Sequence, residues 1–492
     1  MDGRPAGVRP AVPVRAEARR RAGAVRLLVV GGGITGLAAA WEAVRGDEGR
    51  APAEVLLVEA SDRLGGKLHT EVVDDLLIEH GPDSFVSYRP AAAQLAAEVG
   101  LGDDVIGTSG ERIVSLRSRG RLRPLPAGMG MVLPTRLWPF VTTGILSPLD
   151  KLRAGLDLVL PRQLHEGEDV AIGAFLRRRL GGGIVRRFAD PMVGGIYGAS
   201  VDELSLDAVL PSLRADETTH RSLVLASLAT GRRARATSRG PASPFRTLRG
   251  GLGSLVDAVA DRLREAGADL RLGAGVEELR PAAGGGVEAV LGDGSVEPAD
   301  AVVLAGGVAS SAALLAGPAP ESAAALSRVP LATSTVVTLA YPASAFATPV
   351  TTHGWLEADP APISGVTVSS AKWTGRAGED TVLVRAFVPE RLGAIARADT
   401  DVLRDAVVRH VGGVLGETAA PILTRVARWP EMMPKYTVGH LDRVAGTEAG
   451  LAHLPVWRVA GSALRGVGVP DCVADGRRQA GLALAGVVKV NS

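Results

Sequence analysis

Residues Val29–Ala40 read VVGGGITGLAAA: three consecutive glycines, a fourth three places later, then helix-forming alanines. A backbone this bare just ahead of a helix is what an approaching phosphate requires. The run Arg26–Val30, RLLVV, is short and apolar, as expected of a strand buried on both faces. Gly31, Gly33 and Gly36 fit the pattern G-x-G-x-x-G. The first glycine allows the tight turn, the second lets a pyrophosphate approach, and the third lets helix and strand pack closely. The helix LAAAWEAV aims its N-terminal amides at the anion. A second strand, EVLLVEA, leads to Glu59, about twenty residues past the last glycine, where an acid meets a ribose hydroxyl pair. A lone glycine pattern is an ordinary turn. Strand, loop, helix, strand and terminal Glu together describe a dinucleotide site.

The whole chain sets bounds on what such a site can serve. Its 492 residues are enough for two or more folding units, and 46% of them are hydrophobic. Lys+Arg is 55 against Asp+Glu 53, a balance that gives no field for nucleic acid. No apolar run reaches the roughly 18 residues of a spanning helix, so any membrane contact is peripheral and the expected location is cytoplasmic. The single cysteine, Cys472, excludes an internal disulfide and a multi-cysteine metal site, and the eight histidines lack HExxH-like spacing, so no metal is expected. Residues 1–24, rich in Arg, Pro and Ala, read as a disordered tail. Its arginines imitate a twin-arginine or transit signal, but the apolar stretch that follows is explained as the first strand.

The stretch EASDRLGGKLHT (Glu59–Thr70) resembles the R-x-G-G-[RK] signature of amine-oxidase-like flavoproteins. That resemblance implies non-covalent FAD, with Arg63, Gly65, Gly66 and Lys67 folding over its pyrophosphate and ribityl chain. It also implies contacts from Gly31, Gly32, Gly33, Ile34, Thr35, Gly36, Glu59 and Ala60, and an adenine contact from the backbone of Val276. An FAD domain of this kind is discontinuous, and its later pieces are visible. TLRGGLGSLVDAVADRLREAG places Leu252, Leu255, Val256, Val259 and Leu263 at helical spacing. GGVEAVLGDGSVEPADAVVLAGG is a hairpin about Asp293-Gly294 followed by a buried strand. Near the end, VWRVAGSALRGVGVPDCVADGRR runs strand, glycine-rich loop, helix, with Asp471 as candidate N-cap. That helix would aim its positive end at the flavin pyrimidine edge. Some relatives attach FAD to a cysteine; Cys472 reads as unattached.

The fold class that follows is α/β: a Rossmann-like FAD/NAD(P)-binding domain assembled from residues 25–83, 246–329 and 429–492. A helical and substrate-binding region (84–245) and a substrate-domain sheet (330–428), α+β in character, are inserted into it.

Four stretches narrow the resemblance. IEHGPDSFV (Ile78–Val86), RFADPMVGGIYGASVDELSL (Arg187–Leu206), RWPEMMPKYTVGHLDRV (Arg428–Val444) and AGSALRGVGVPDCVADGR (Ala460–Arg477) look like the protoporphyrinogen/coproporphyrinogen oxidases, and bacterial coproporphyrinogen III oxidases are the most similar form. The likeness adds Gly81, Pro82, Asp83, Ser84, Trp429, Gly461, Val467, Gly468 and Val469 to the implied cofactor contacts. It departs at Lys435 and Leu464, where the family often has Gln and Tyr; both positions would lie near the flavin or its entrance.

The implied reaction aromatises a reduced tetrapyrrole in three two-electron flavin cycles, with dioxygen as acceptor and hydrogen peroxide as by-product. The product would pass to the next enzyme of haem synthesis. No side-chain pair stands out as a catalytic acid/base couple. Substrate propionates call for cations, and Arg89 is the first candidate, followed by Lys372 and Arg249. The segment MGMVLPTRLWPFVTTGIL reads equally as substrate mouth, membrane contact or core. Rival readings are protoporphyrinogen IX oxidation, a flavin amine oxidase, which usually needs an aromatic cage that six Trp and four Tyr poorly supply, and a non-catalytic porphyrin carrier.

Overall fold

The computed structural model describes residues 24–46, 50–110, 113–237 and 243–491. Apart from Ala24, the tail read from the sequence lies outside them. Strand β1 (Arg26–Val30) runs into helix α1 (Ile34–Arg45), and strand β2 (Glu54–Val58) follows. Both strands are buried after their first residue, because each is covered on two faces. They pair in parallel at the centre of a five-stranded sheet ordered Asp269–Arg271, β2, β1, Ala301–Leu304, Trp457–Val459. Pieces from the two ends and the middle of the chain therefore meet in one sheet. The buried alanines Ala38, Ala39, Ala40 and Ala43 leave α1 thin enough to pack closely. A three-stranded antiparallel sheet (Val276–Pro281, Val287–Leu291, Val296–Ala299) lies on the same core.

A second, seven-stranded sheet is ordered Leu423–Pro434, Leu331–Pro342, Thr381–Pro389, Gly365–Val368, Gly354–Glu357, Val114–Ser118, Arg121–Pro124. Helix Thr400–Leu415 lays Leu403, Val407 and Val411 on it at helical spacing. Two placements differ from the sequence reading. The hairpin Val114–Pro124 belongs to this sheet, although it falls in the region read as mostly helical. Its alternation is hard to see because arginines stand on both faces of SLRSRGRLRP, Arg117 opposite Leu122 and Arg123 opposite Leu116. Trp429, counted with the FAD domain, stands on the outer strand of the same sheet.

The helical part has its own core around Phe175, Leu176 and Phe188. Inside it, Val185–Gly194 forms a π-helix containing Pro191, which has no N–H to complete an ordinary helical bond. The stretch MGMVLPTRLWPFVTTGIL divides: Val132, Phe140 and Ile145 enter this core, whereas Trp138 and Val141 face solvent. No helix among the described residues is long and apolar enough to cross a membrane.

Candidate active site

The carboxyl ends of the parallel strands carry the site. Gly31 turns with φ +108, and a Cβ there would meet Ala305 backbone at 2.8 Å. A Cβ on Gly36 would sit 1.9 Å from the Gly31 carbonyl oxygen, so helix and strand touch at this point. A Cβ on Gly33 would meet no protein atom within 4 Å. The middle glycine therefore faces an open cleft, at the N-terminus of α1. No side chain caps that helix, and no acidic residue stands in its first turn. Its positive end is left for an anion, which is the fit a dinucleotide pyrophosphate needs.

Glu59 reaches this loop. One carboxylate oxygen accepts from the Gly32 amide at 2.6 Å; the other accepts from the Ser61 amide at 2.9 Å and its hydroxyl at 2.8 Å. The amides of Gly273 and Ala274 donate to the carbonyls of Ser61 and Glu59, which lays the segment leading to Val276 along Glu59–Ser61. Glu59, Ala60 and Val276 are thus brought together. The second glycine pair clamps the first: the Gly65 amide donates to the Gly32 carbonyl at 2.8 Å. Arg63 folds back to the Gly66 carbonyl at 2.6 Å. Lys67 crosses the cleft wall, donating to the Met432 carbonyl at 2.7 Å and the Ser462 hydroxyl at 3.2 Å. Burial pushes its pKa down. Cys472 is buried nearby, and burial pushes its thiol up to about 11. At neutral pH it is not the thiolate that covalent attachment would need.

The loop between the last strand and the C-terminal helix (Val469–Asn491) is pinned from below. Gly461 donates to Asp475 at 2.9 Å. The Tyr436 hydroxyl donates to the Ser462 carbonyl at 2.7 Å and accepts from the Gly466 amide at 2.6 Å. His440 stacks on Tyr436 with ring centroids 3.8 Å apart. Its Nε2 lies 2.9 Å from the Leu464 carbonyl, which can only accept, so Nε2 carries the proton of the neutral ring. Burial pushes its pKa down to about 4. Tyr197, following the π-helix, packs on Tyr436 at 5.5 Å. Asp169 accepts from the Gly439 amide and the Ser205 hydroxyl, both at 2.7 Å, and Ser205 donates its own amide to the Tyr436 carbonyl. Tyr197 and Ser205 lie in Arg187–Leu206, and Tyr436 and His440 in Arg428–Val444, but the sequence alone assigns them no role, and Asp169 lies outside the four stretches. The signal was the pair Tyr436/His440, four residues apart within MPKYTVGH.

Several positions sit differently from the sequence reading. The Leu464 side chain is buried in the core, and its backbone serves the loop: its amide donates to the Gly461 carbonyl and its carbonyl faces His440. Lys435 pairs with Glu203 at 3.5 Å. Asp83 points inward, accepting from Lys372 and Trp373, each at 3.1 Å, with Arg385 at 3.5 Å. Burial works to raise its pKa, but the two cations and the Trp373 and Ser84 bonds outweigh it and hold the carboxyl well below its usual range. Lys372 is therefore a counterion of Asp83, its side chain 13% exposed. The same network sets Gly81, Pro82 and Ser84: Arg385 donates to the Gly81 carbonyl, and Gly81 packs on that of Lys67. Trp429 donates to the His80 carbonyl at 2.8 Å, tying the sheet to this segment. Arg249 pairs loosely with Asp104 at 3.6 Å on the surface, 62% exposed. Of the three cations, Arg89 alone stands beside the C-terminal helix, paired with Asp471 in its first turn. Val467, Gly468 and Val469 form the approach to that turn. Asp471 thus serves Arg89 and not as N-cap. Tyr197 is close by, its hydroxyl pushed up to about 12 by burial and by Asp471.

The chain matches a family described as flavin containing amine oxidoreductase over residues 34–484. It is 56% identical to a coproporphyrinogen III oxidase of Propionibacterium freudenreichii, covering 92% of this chain and 90% of that one. With the coproporphyrinogen III oxidase of Bacillus subtilis the identity is 32%, over 92% and 97%. A crystal structure of an Exiguobacterium protein, provisionally named a protoporphyrinogen oxidase, superposes with a TM-score of 0.80 at 29% identity, covering 94% of this chain and 99% of that one.

Proposed function

This chain belongs to the flavin-containing amine oxidoreductase family, and on that premise we propose that it oxidises coproporphyrinogen III to coproporphyrin III in haem biosynthesis, with dioxygen as acceptor and hydrogen peroxide as by-product. The observation that carries the substrate is the 56% identity, over nearly the whole chain, to a coproporphyrinogen III oxidase. It is an FAD-dependent oxidoreductase. Bound FAD would supply the two-electron acceptance that each of the three oxidation cycles requires. The chain's own residues supply position and field. Gly31–Gly36 and α1 would hold the FAD pyrophosphate, Glu59 the ribose, and Ala60 and Val276 the adenine. The loop pinned by Tyr436 and His440 holds the start of the C-terminal helix, whose positive end would favour the reduced, anionic form of a bound flavin. Cys472 stays a buried thiol, so the cofactor is held without a covalent bond. Arg89 takes one propionate at the mouth, close to Asp471 and Tyr197. We place the protein in the cytoplasm, handing its product to the next enzyme of the pathway.

Anaerobic mixing with coproporphyrinogen III tests this reading. The yellow flavin absorbance should bleach and return on admitting air. An absorbance that never changes would identify a porphyrin carrier instead.

A further inference from the structure

The loop Gly461–Gly468 has two sides. Ser462 meets Lys67 at the flavin cleft. Leu464 lines a separate cavity of about 400 Å3, within the roughly 300–1,000 Å3 of small-molecule sites. The helix His440–Gly450, the edge strand Trp457–Val459 and the C-terminal helix supply its other walls. None of the residues lining it has a part in the flavin or substrate reading. Leu451, Pro455, Leu464 and Leu482 make it largely apolar. Two polar side chains on its walls are left over. Glu448 is taken by Arg465 at 2.6 Å and lies 3.9 Å from Arg478. Arg478 donates to Asp475 at 2.8 Å, and the other oxygen of Asp475 accepts from the Gly461 amide. These two acids are thus matched by two arginines, and Arg458 is the third. It donates to the Trp457 carbonyl at 2.7 Å but has no ion pair among the described residues. Burial pushes its pKa down, and Glu448, which works the other way, does not offset this. The second side chain is Gln479. It is 2% exposed and lines the cavity, yet among the described residues it makes no side-chain hydrogen bond.

A half-buried cation without a partner and a buried amide without a bond both cost stability unless a ligand meets them. Their chemistry names that ligand. A guanidinium takes the two oxygens of a carboxylate in a fork, and an amide N–H donates to the same group. One spare charge suits a single carboxylate, and the leucines suit an apolar body. We propose that this cavity is a second ligand site, taking a small monocarboxylate with an apolar body, and that its occupancy steadies the loop facing the flavin. Leu464 belongs to the wall, so the ligand binds best when the loop keeps its observed shape. Ligand and FAD then hold each other in place by linkage. The inference does not rest on which porphyrinogen is oxidised.

The test titrates the FAD-loaded full chain with octanoate and, separately, with octan-1-ol in a calorimeter. One octanoate per chain should bind, and octan-1-ol should bind about tenfold more weakly or not at all. Arg458→Gln should weaken octanoate by about tenfold, and Gln479→Leu, close in size, should weaken it severalfold. Both variants should keep their FAD, which shows that they are folded. Release of FAD from the wild type, followed by the fluorescence of free flavin, should slow severalfold in octanoate. The same concentration should leave Arg458→Gln unaffected. The proposal is overturned if octanoate does not bind, if octan-1-ol binds equally well, if either variant binds octanoate like the wild type, or if bound octanoate leaves the release of FAD unchanged.

Discussion

Gly33 and Gly36 are three residues apart and fail for different reasons when given a side chain. Val at 33 meets no protein atom and suits its extended backbone (φ −68), so the fold should survive while the pyrophosphate's place is filled. Val at 36 drives a Cβ to 1.9 Å from a carbonyl oxygen and should prevent folding. Soluble, thermally stable but colourless protein is expected for Gly33→Val, and no soluble protein for Gly36→Val. Stoichiometric FAD in Gly33→Val would move the loop out of the site. At the mouth, the Arg89 side chain is 51% exposed, so its contact with a propionate is worth only about 1 kcal/mol. Arg89→Ala should raise KM roughly fivefold with kcat little changed, because the contact is equal in ground and transition states; steady-state kinetics would place it on the open surface if KM did not move. The glycine roles were legible because they follow from backbone geometry alone. The cations were not, because a charge in a sequence does not name its partner: nothing in the sequence sets Asp83 beside Lys372.

Among elements, the loop Gly461–Gly468 shows how a segment with little packing of its own is held in one shape. The bonds to Tyr436 and His440 fix it from outside the sheet, and His440 must stay neutral to do so. Its pKa of about 4 in the folded chain, against 6.5 unfolded, means that between these values the unfolded state binds the extra proton. Stability should therefore be complete above pH 6.5 and fall as pH drops towards 4, by about 3 kcal/mol at this residue. His440→Gln keeps a donor for the Leu464 carbonyl and removes the titration. Comparing the acid slopes of Tm for the two proteins isolates the effect; identical slopes would show that His440 titrates normally. The motif containing this pair was visible in the sequence, but its purpose was not. Stacking over 3.8 Å and a bond to a carbonyl 24 residues away are properties of the folded chain only.

For the whole molecule, the discontinuous flavin-binding sheet was readable because each returning piece carried its own strand, glycine turn and helix, and a parallel sheet accepts such pieces in any chain order. The arginine-rich hairpin Val114–Pro124 escaped, since its pairing with Gly354–Glu357 lies more than two hundred residues away and arginines on both its faces hide the alternation. What this assembly oxidises is open to one measurement. Coproporphyrinogen III and protoporphyrinogen IX, supplied separately under air to FAD-loaded protein and followed by porphyrin fluorescence, decide it most directly. Rapid coproporphyrin formation is expected, with a slower response to protoporphyrinogen. Faster oxidation of protoporphyrinogen, or no fluorescence above the enzyme-free rate with either, would contradict it.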